Sequence, residues 1–157
     1  MMRTVSAGSL KAFGLCVALL AAGICAAQAI LEDLDKFPRT VVEIRSGPKR
    51  HRFDVWVADT PARQAQGLMF VRDLPADQGM LFIHREPRVA SMWMKNTYIE
   101  LDMLFIAPDG RIVKIAERTT PHSLETISSG VPVGAVLEIK GGEAMRLGLR
   151  PGDRVLW

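Results

Sequence analysis

The sequence predicts a mainly β fold, a single-domain β-sandwich or small barrel with one or two short helices. Three observations predict it. Short runs rich in valine, isoleucine and phenylalanine recur after residue 40, each bounded by Gly, Pro, Asp or Ser. Two stretches carry helix start and stop signals, and both are brief. The chain has 157 residues, enough for one domain but not comfortably for two.

Residues 1–29 read as a signal peptide. Arg3 and Lys11 give a basic start, Ala12 to Ile24 is a 13-residue apolar run, and Ala27-Gln28-Ala29 offers a small-x-small cleavage site. The stretch from Ala12 to Leu31 is uncharged over 20 residues, so a retained membrane anchor is the alternative, although its Ala-rich end is weakly apolar. Cys25 follows Ile24, where a lipoprotein signal would place a small residue. Cleavage after Ala29 leaves Ile30 to Trp157, 128 residues, in the periplasm or outside the cell. Contact with membrane is then confined to the leader before cleavage.

Residues 30–40 are expected to form a loose N-terminal arm, and residues 41–157 the β domain. Thr40 to Ile44 is the first strand, and Gly47-Pro48 turns it back. Phe53 to Val57 alternates, with Phe53, Val55 and Val57 on one face. Asp59-Thr60-Pro61 opens a short helix that runs to Gln66 and stops at Gly67. Gly79 to Ile83 and Val89 to Met94 read as two strands. Leu101 to Ile106 is nearly all apolar, which predicts a strand covered on both faces. Pro108-Asp109-Gly110 makes a hairpin turn into Arg111 to Ala116. Thr119 to Pro132 reads as a polar loop, Val133 to Ile139 as a strand, and Glu143 to Leu147 as a helical turn between Gly142 and Gly148. Val155 to Trp157 is the last strand.

Composition narrows the function classes. The chain has 20 Lys+Arg against 17 Asp+Glu, and the leader holds two of those bases and no acid, so 18 face 17 after cleavage. A net charge of +1 gives nucleic-acid binding little footing. Both cysteines, Cys16 and Cys25, lie in the leader, so the rest has no disulfide framework, zinc–thiolate site or Cys nucleophile. His51, His84 and His122 are scattered without metal-ligand spacing. There is no G-x-S-x-G, and Gly141-Gly142 lacks the Lys-Ser/Thr of a phosphate loop. Lys49-Arg50-His51-Arg52 reads as a solvated turn that guards a strand edge.

An ordered series of motifs is more specific than any of these. R-x-x-x-G-L-M at Arg63 to Met69, G-M-L-F at Gly79 to Phe82 and W-M-K-N-T at Trp93 to Thr97 come first. Leu101-Asp102, Pro108-Asp109-Gly110-Arg111-Ile112, Leu137-Glu138 and Gly152-Asp153 follow. The series resembles the DUF192 (UPF0127) family over residues 41–157. The resemblance implies a jelly-roll-type β-sandwich and no established activity. One departure is Glu100, where the family pattern tends to have proline before Leu-Asp.

Three functions follow for the candidate residues. The first is a binding or accessory module with a polar pocket around Lys95, Asn96 and Asp102, next to Trp93, with Arg63, Arg72 and Glu138 as contributors. Its partner would be a small molecule, a glycan or an envelope protein, with no cofactor. Asp102 interrupts an apolar strand, where a carboxylate must be paired or hydrogen-bonded; a salt bridge to Lys95, Arg63 or Arg72 would suffice. The second is an envelope-directed hydrolase. There Asp102 would act with Glu100 or Glu138 as acid and base, since neighbouring carboxylates split their pKa values. The third is a Cu(I)-handling protein using Met92 and Met94, expected on one strand face, with His84 or His122. Trp56 and Trp93 could stack on sugar rings, although Trp in a small domain is more often core.

Overall fold

The computed structural model describes residues 31–157. The predicted leader, with Cys16 and Cys25, lies outside the described residues. Seven strands follow in chain order: β1 (Arg39–Ser46), β2 (Lys49–Ala58), β3 (Gln78–Met92), β4 (Leu101–Ile106), β5 (Ile112–Ala116), β6 (Ile127–Lys140) and β7 (Arg154–Leu156). Two helices, α1 (Pro61–Gln66) and α2 (Glu143–Leu147), join β2 to β3 and β6 to β7. The strands form one mixed sheet in the order β5-β4-β6-β3-β2-β1-β7, parallel only between β2 and β3. That parallel pair needs a crossover, which α1 and the loop after it provide.

The sheet curls into a half-barrel whose outermost strands meet at one end. Arg111, just before β5, bridges Arg154 in β7. The Ile112 N–H donates to the Asp153 carbonyl at 2.8 Å, and the Val155 N–H donates to the Gly110 carbonyl at 2.7 Å. Gly110 has φ +85°, and a Cβ there would lie 2.7 Å from the Val155 carbonyl oxygen, so only glycine fits this seam.

Two cores flank the sheet. The inner core draws Val42, Phe53, Leu81, Leu104, Ile112, Leu137 and Val155, one from each strand. The outer core lies on β3, β4 and β6, where Met80, Phe82, Met103, Phe105 and Val136 are covered by Phe37, Leu68, Leu74 and Met94. All six residues of β4 are buried, with Leu104 and Ile106 inward and Leu101, Met103 and Phe105 outward. This is the two-sided burial that its continuous apolar run predicts.

Both helices form where their caps lie in the sequence. The Thr60 hydroxyl accepts from the Arg63 N–H at 3.2 Å, and Gly67 ends α1 with φ +52°. Thr60→Ala is expected to lower stability by about 1 kcal/mol in urea unfolding, the usual worth of such a cap.

Three elements differ from expectation. The arm is tied down: the Gln66 amide exchanges two hydrogen bonds with the Glu32 backbone, and Phe37 is buried in the outer core. The strands expected at 79–83 and 89–94 are one strand, with register shifts between Ile83 and Arg88 and between Val89 and Ser91. The end of the predicted polar loop is also strand: Ile127 and Ser128 pair with Met92 and Ser91, extending β6 along the prolonged β3.

Candidate functional site

On β6, Glu138 pairs across the sheet with Met80 of β3 and Met103 of β4. Directly paired residues share a face, so its side chain stands in the outer core between two fully buried methionines. Glu138 is 4% exposed, and among the described residues none donates a hydrogen bond to its carboxyl. Burial pushes its pKa up to about 8. The strands close tightly beneath it, since a Cβ on Gly79 would lie 2.3 Å from the Glu138 carbonyl oxygen.

The carboxyl opens onto a cavity of about 60 Å³, room for about two waters. Its lining includes Gly67 to Met69 after α1, Met92 at the end of β3, and Trp93, Lys95 and Thr97 after it. Trp93 is 51% exposed, and the Lys95 ammonium lies 5.5 Å from its ring centre. Three non-glycine residues with positive φ shape the surrounding loops: Phe70 (65°), Asn96 (56°) and His122 (61°). They interlock, as Phe70 N–H donates to the Asn96 carbonyl at 2.8 Å and His122 N–H to the Thr97 carbonyl at 3.1 Å. Such strain persists only where surrounding contacts hold it.

The sequence candidates fall in four places. Lys95, Trp93 and Glu138 share the cavity. Asn96 stands beside it, with its amide 3.8 Å from the Met69 sulfur. Asp102 faces the other way, because β4 alternates and Met103 is the residue paired with Glu138. Fully buried, Asp102 receives three backbone N–H groups, from Arg118 and Gly142 on Oδ1 at 2.8 and 2.9 Å and from Ala144 on Oδ2 at 2.8 Å. It brackets the entry to α2 against the β5–β6 connection, and backbone rather than a salt bridge satisfies it.

The remaining candidates are held apart from the cavity. Arg63 clamps Glu32 at 3.1 Å and Asp59 at 2.9 Å. Arg72 lies 4.8 Å over the Tyr98 ring. Glu100 precedes β4 and meets Arg118 at 3.0 Å in an exposed pair, a contact of little energetic weight. Asp102 and Glu138 therefore stand on opposite faces of the sheet and do not form an acid–base pair; Asp102 and Glu100 both meet Arg118, one through its N–H and the other through its guanidinium.

The copper candidates do not converge either. Met94 is buried and its sulfur lies 3.1 Å from the Thr119 hydroxyl, whereas Met92 lines the cavity. His84 accepts from Arg88, and His122 packs on Tyr98. Among the described residues, no group of three or more His, Cys, Asp or Glu is placed to hold a metal. The cavity also uses Met69 and Thr97, which sequence reasoning did not single out as pocket residues, and Met92, which it offered to copper. Met69 and Thr97 were nevertheless visible as the ends of two motifs. A wider groove of about 620 Å³ runs along Ile83–Arg88, where Arg88 reaches His84 and Gln64 and the buried His84 Nε2 has no partner among the described residues.

Residues 42–157 match the family DUF192, described as Uncharacterized ACR. A crystal structure from Sinorhizobium meliloti 1021, described as a candidate transcription regulator, is 45% identical with a TM-score of 0.75. The match covers 76% of this chain and 94% of that one. A protein of unknown function from Novosphingobium aromaticivorans DSM 12444 is 38% identical with a TM-score of 0.77, over 82% of this chain and 91% of that one. No curated protein matches the chain.

Proposed function

Since the chain belongs to the DUF192 family, which brings no established activity, we propose a function from the site itself: a small-ligand-binding module whose pocket is the cavity over Glu138. One observation carries this reading. A carboxyl sits among Met80, Phe82 and Met103 with no donor among the described residues and opens onto a cavity. Burying such a group without a partner costs stability. A ligand that supplies the missing partner recovers it.

Separation of the carboxylates supports binding over hydrolysis. General acid–base work needs its two groups on either side of one reacting bond, and Asp102 lies across the sheet with both oxygens engaged. The near balance of charge after the leader supports a small molecule or glycan over nucleic acid. The basic start, apolar run and small-x-small site of residues 1–29 support a periplasmic or secreted location.

Thermal unfolding of the purified protein against a panel of amines, glycans, peptidoglycan fragments, anions and Cu(I) tests the reading. A ligand at 100 times its Kd adds about 2.7 kcal/mol, which at about 3 °C per kcal/mol is a shift of roughly 8 °C for a domain this size. The shift is expected to vanish in Glu138→Leu while the variant still unfolds cooperatively. A shift that survives in Glu138→Leu places the binding site elsewhere and overturns the reading.

A further inference from the structure

We infer that the cavity over Glu138 receives the ammonium end of a small organic cation, with Lys95 as its competitor at the mouth. The inference rests on the pocket reading above and names its ligand class. Polar side chains around the cavity are mostly spent. The Gln64 amide donates to the Ala58 and Ile83 carbonyls at 3.2 and 2.8 Å. The Gln66 amide is taken up by the Glu32 backbone, and the Thr97 hydroxyl by the Lys95 carbonyl at 3.4 Å.

What remains to meet a ligand is mainly electron-rich, the Glu138 carboxyl, Met92 and the face of Trp93, beside the Ser91 hydroxyl, which is free among the described residues. Lys95 is the one cationic side chain in the lining. A ligand bearing N–H donors and positive charge finds the Glu138 carboxyl, Met92 and the Trp93 face, whereas an anion finds one cation, Lys95, and the Ser91 hydroxyl, and leaves Glu138 buried and unpaired.

Size narrows the class further. About 60 Å³ admits a terminal ammonium or methylammonium but not a sugar ring. The rest of the ligand stays outside along the exposed Trp93. The chain itself shows that this mouth accepts an alkylammonium, because the Lys95 Nζ already sits 5.5 Å from the indole centre. One indole face serves one cation at a time, so Lys95 and the ligand compete for Trp93.

Binding moves a proton. The buried carboxyl is neutral at pH 7, with a pKa pushed up to about 8. When R–NH3+ enters, the O–H bond of Glu138 breaks, the carboxylate pairs with the ammonium, and one H+ leaves to solvent. No electrons are exchanged.

Titration calorimetry of the purified protein at pH 7, with n-butylammonium, n-butanol and butyrate in buffers of different ionisation enthalpy, tests this. Butylammonium alone is expected to bind, with an enthalpy that tracks the buffer and reports release of close to one proton. Glu138→Gln is expected to weaken it at least about tenfold, by loss of a charge-assisted contact. Lys95→Met is expected to tighten it about threefold, by removing a competing cation. Near-UV circular dichroism of both variants checks that they are folded. Butyrate binding that is lost in Lys95→Met would overturn the cation inference while leaving the pocket reading intact. So would Cu(I) binding lost in Met69→Leu/Met92→Leu with no response to butylammonium. If neither these probes nor any ligand of the thermal panel responds to Glu138 substitution, both readings fall.

Discussion

Asp102→Ala is expected to lower unfolding stability by about 3–5 kcal/mol, since two buried backbone donors and one partly buried donor are left without a partner, at about 1–3 kcal/mol for each buried one. Arg118, Gly142 and Ala144 all donate to this carboxylate, and among the described residues their N–H groups have no other acceptor. Domains of this size are stable by only about 5–15 kcal/mol, so the variant should be close to unfolding at 37 °C. Asp102→Asn keeps one oxygen for Arg118 and Gly142 but turns an NH2 toward the Ala144 N–H. It should fall between parent and alanine variant, at about 2–3 kcal/mol. Urea unfolding of the three proteins orders them. Equal midpoints would show that the bracket around α2 carries no weight. At temperatures where Asp102→Asn is folded, binding at the Glu138 cavity should be retained, because the two carboxyls face different cores.

The second large effect appears along the pH axis. Glu138 holds its proton in the folded state up to about pH 8, against an ordinary value of 4.5 for the unfolded chain. Between those values the folded state binds more protons than the unfolded state, so stability falls as pH rises. The contribution is complete below pH 4.5, declines through the window and is exhausted above about pH 8. Its full span is about 5 kcal/mol, at 1.36 kcal/mol per pKa unit. Glu138→Gln and Glu138→Leu should lack this slope, and the leucine variant should exceed the parent at pH 9 by several kcal/mol, since an apolar residue suits that site better than an unpaired carboxylate. Unfolding free energies of parent and variants at intervals from pH 5 to 9 measure it. A constant difference across that range would show that Glu138 does not titrate out of the fold. The residue proposed to meet the ligand is then also one that limits stability at high pH.

The parts of the fold legible in the sequence are those set by local chemistry. Thr60, Pro61 and Gly67 bound α1, Gly142 and Gly148 bound α2, and the run from Leu101 to Ile106 announced its own burial. The continuous β3 was hidden because His84 to Arg88, with Pro87 among them, carries charge where the strand leaves the cores. Ile127 to Pro132 looked like a loop for the same reason: its pairing partner, the far half of β3, is set by tertiary structure and leaves no periodicity.

The site was half legible. Trp93, Lys95 and Glu138 were all singled out, and the sequence also paired Glu138 with Asp102 because both interrupt apolar strands. What separates them is register. Glu138 aligns with Met103 rather than with Asp102, and a shift of one residue changes the face on which every side chain of a strand lies. Arg63 and Arg72 carried the charge of binding residues but are used by Glu32, Asp59 and Tyr98, partners that only the folded chain brings near.

The seam at Gly110 and Val155 has a consequence in time. β7 completes the sheet by lying beside β1, with Val155 opposite Ile44, while Arg154 reaches Arg111 on the other side. Contacts so distant in sequence form late, because chain entropy must be lost before they return anything. Until β7 arrives, one side of β1 is a bare edge and the inner core lies open, so another chain can occupy that place. The three residues of β7 thus act as a timer as well as a strand. A nascent chain is vulnerable to mispairing from the emergence of β1 until residue 155 is delivered, whatever the final stability.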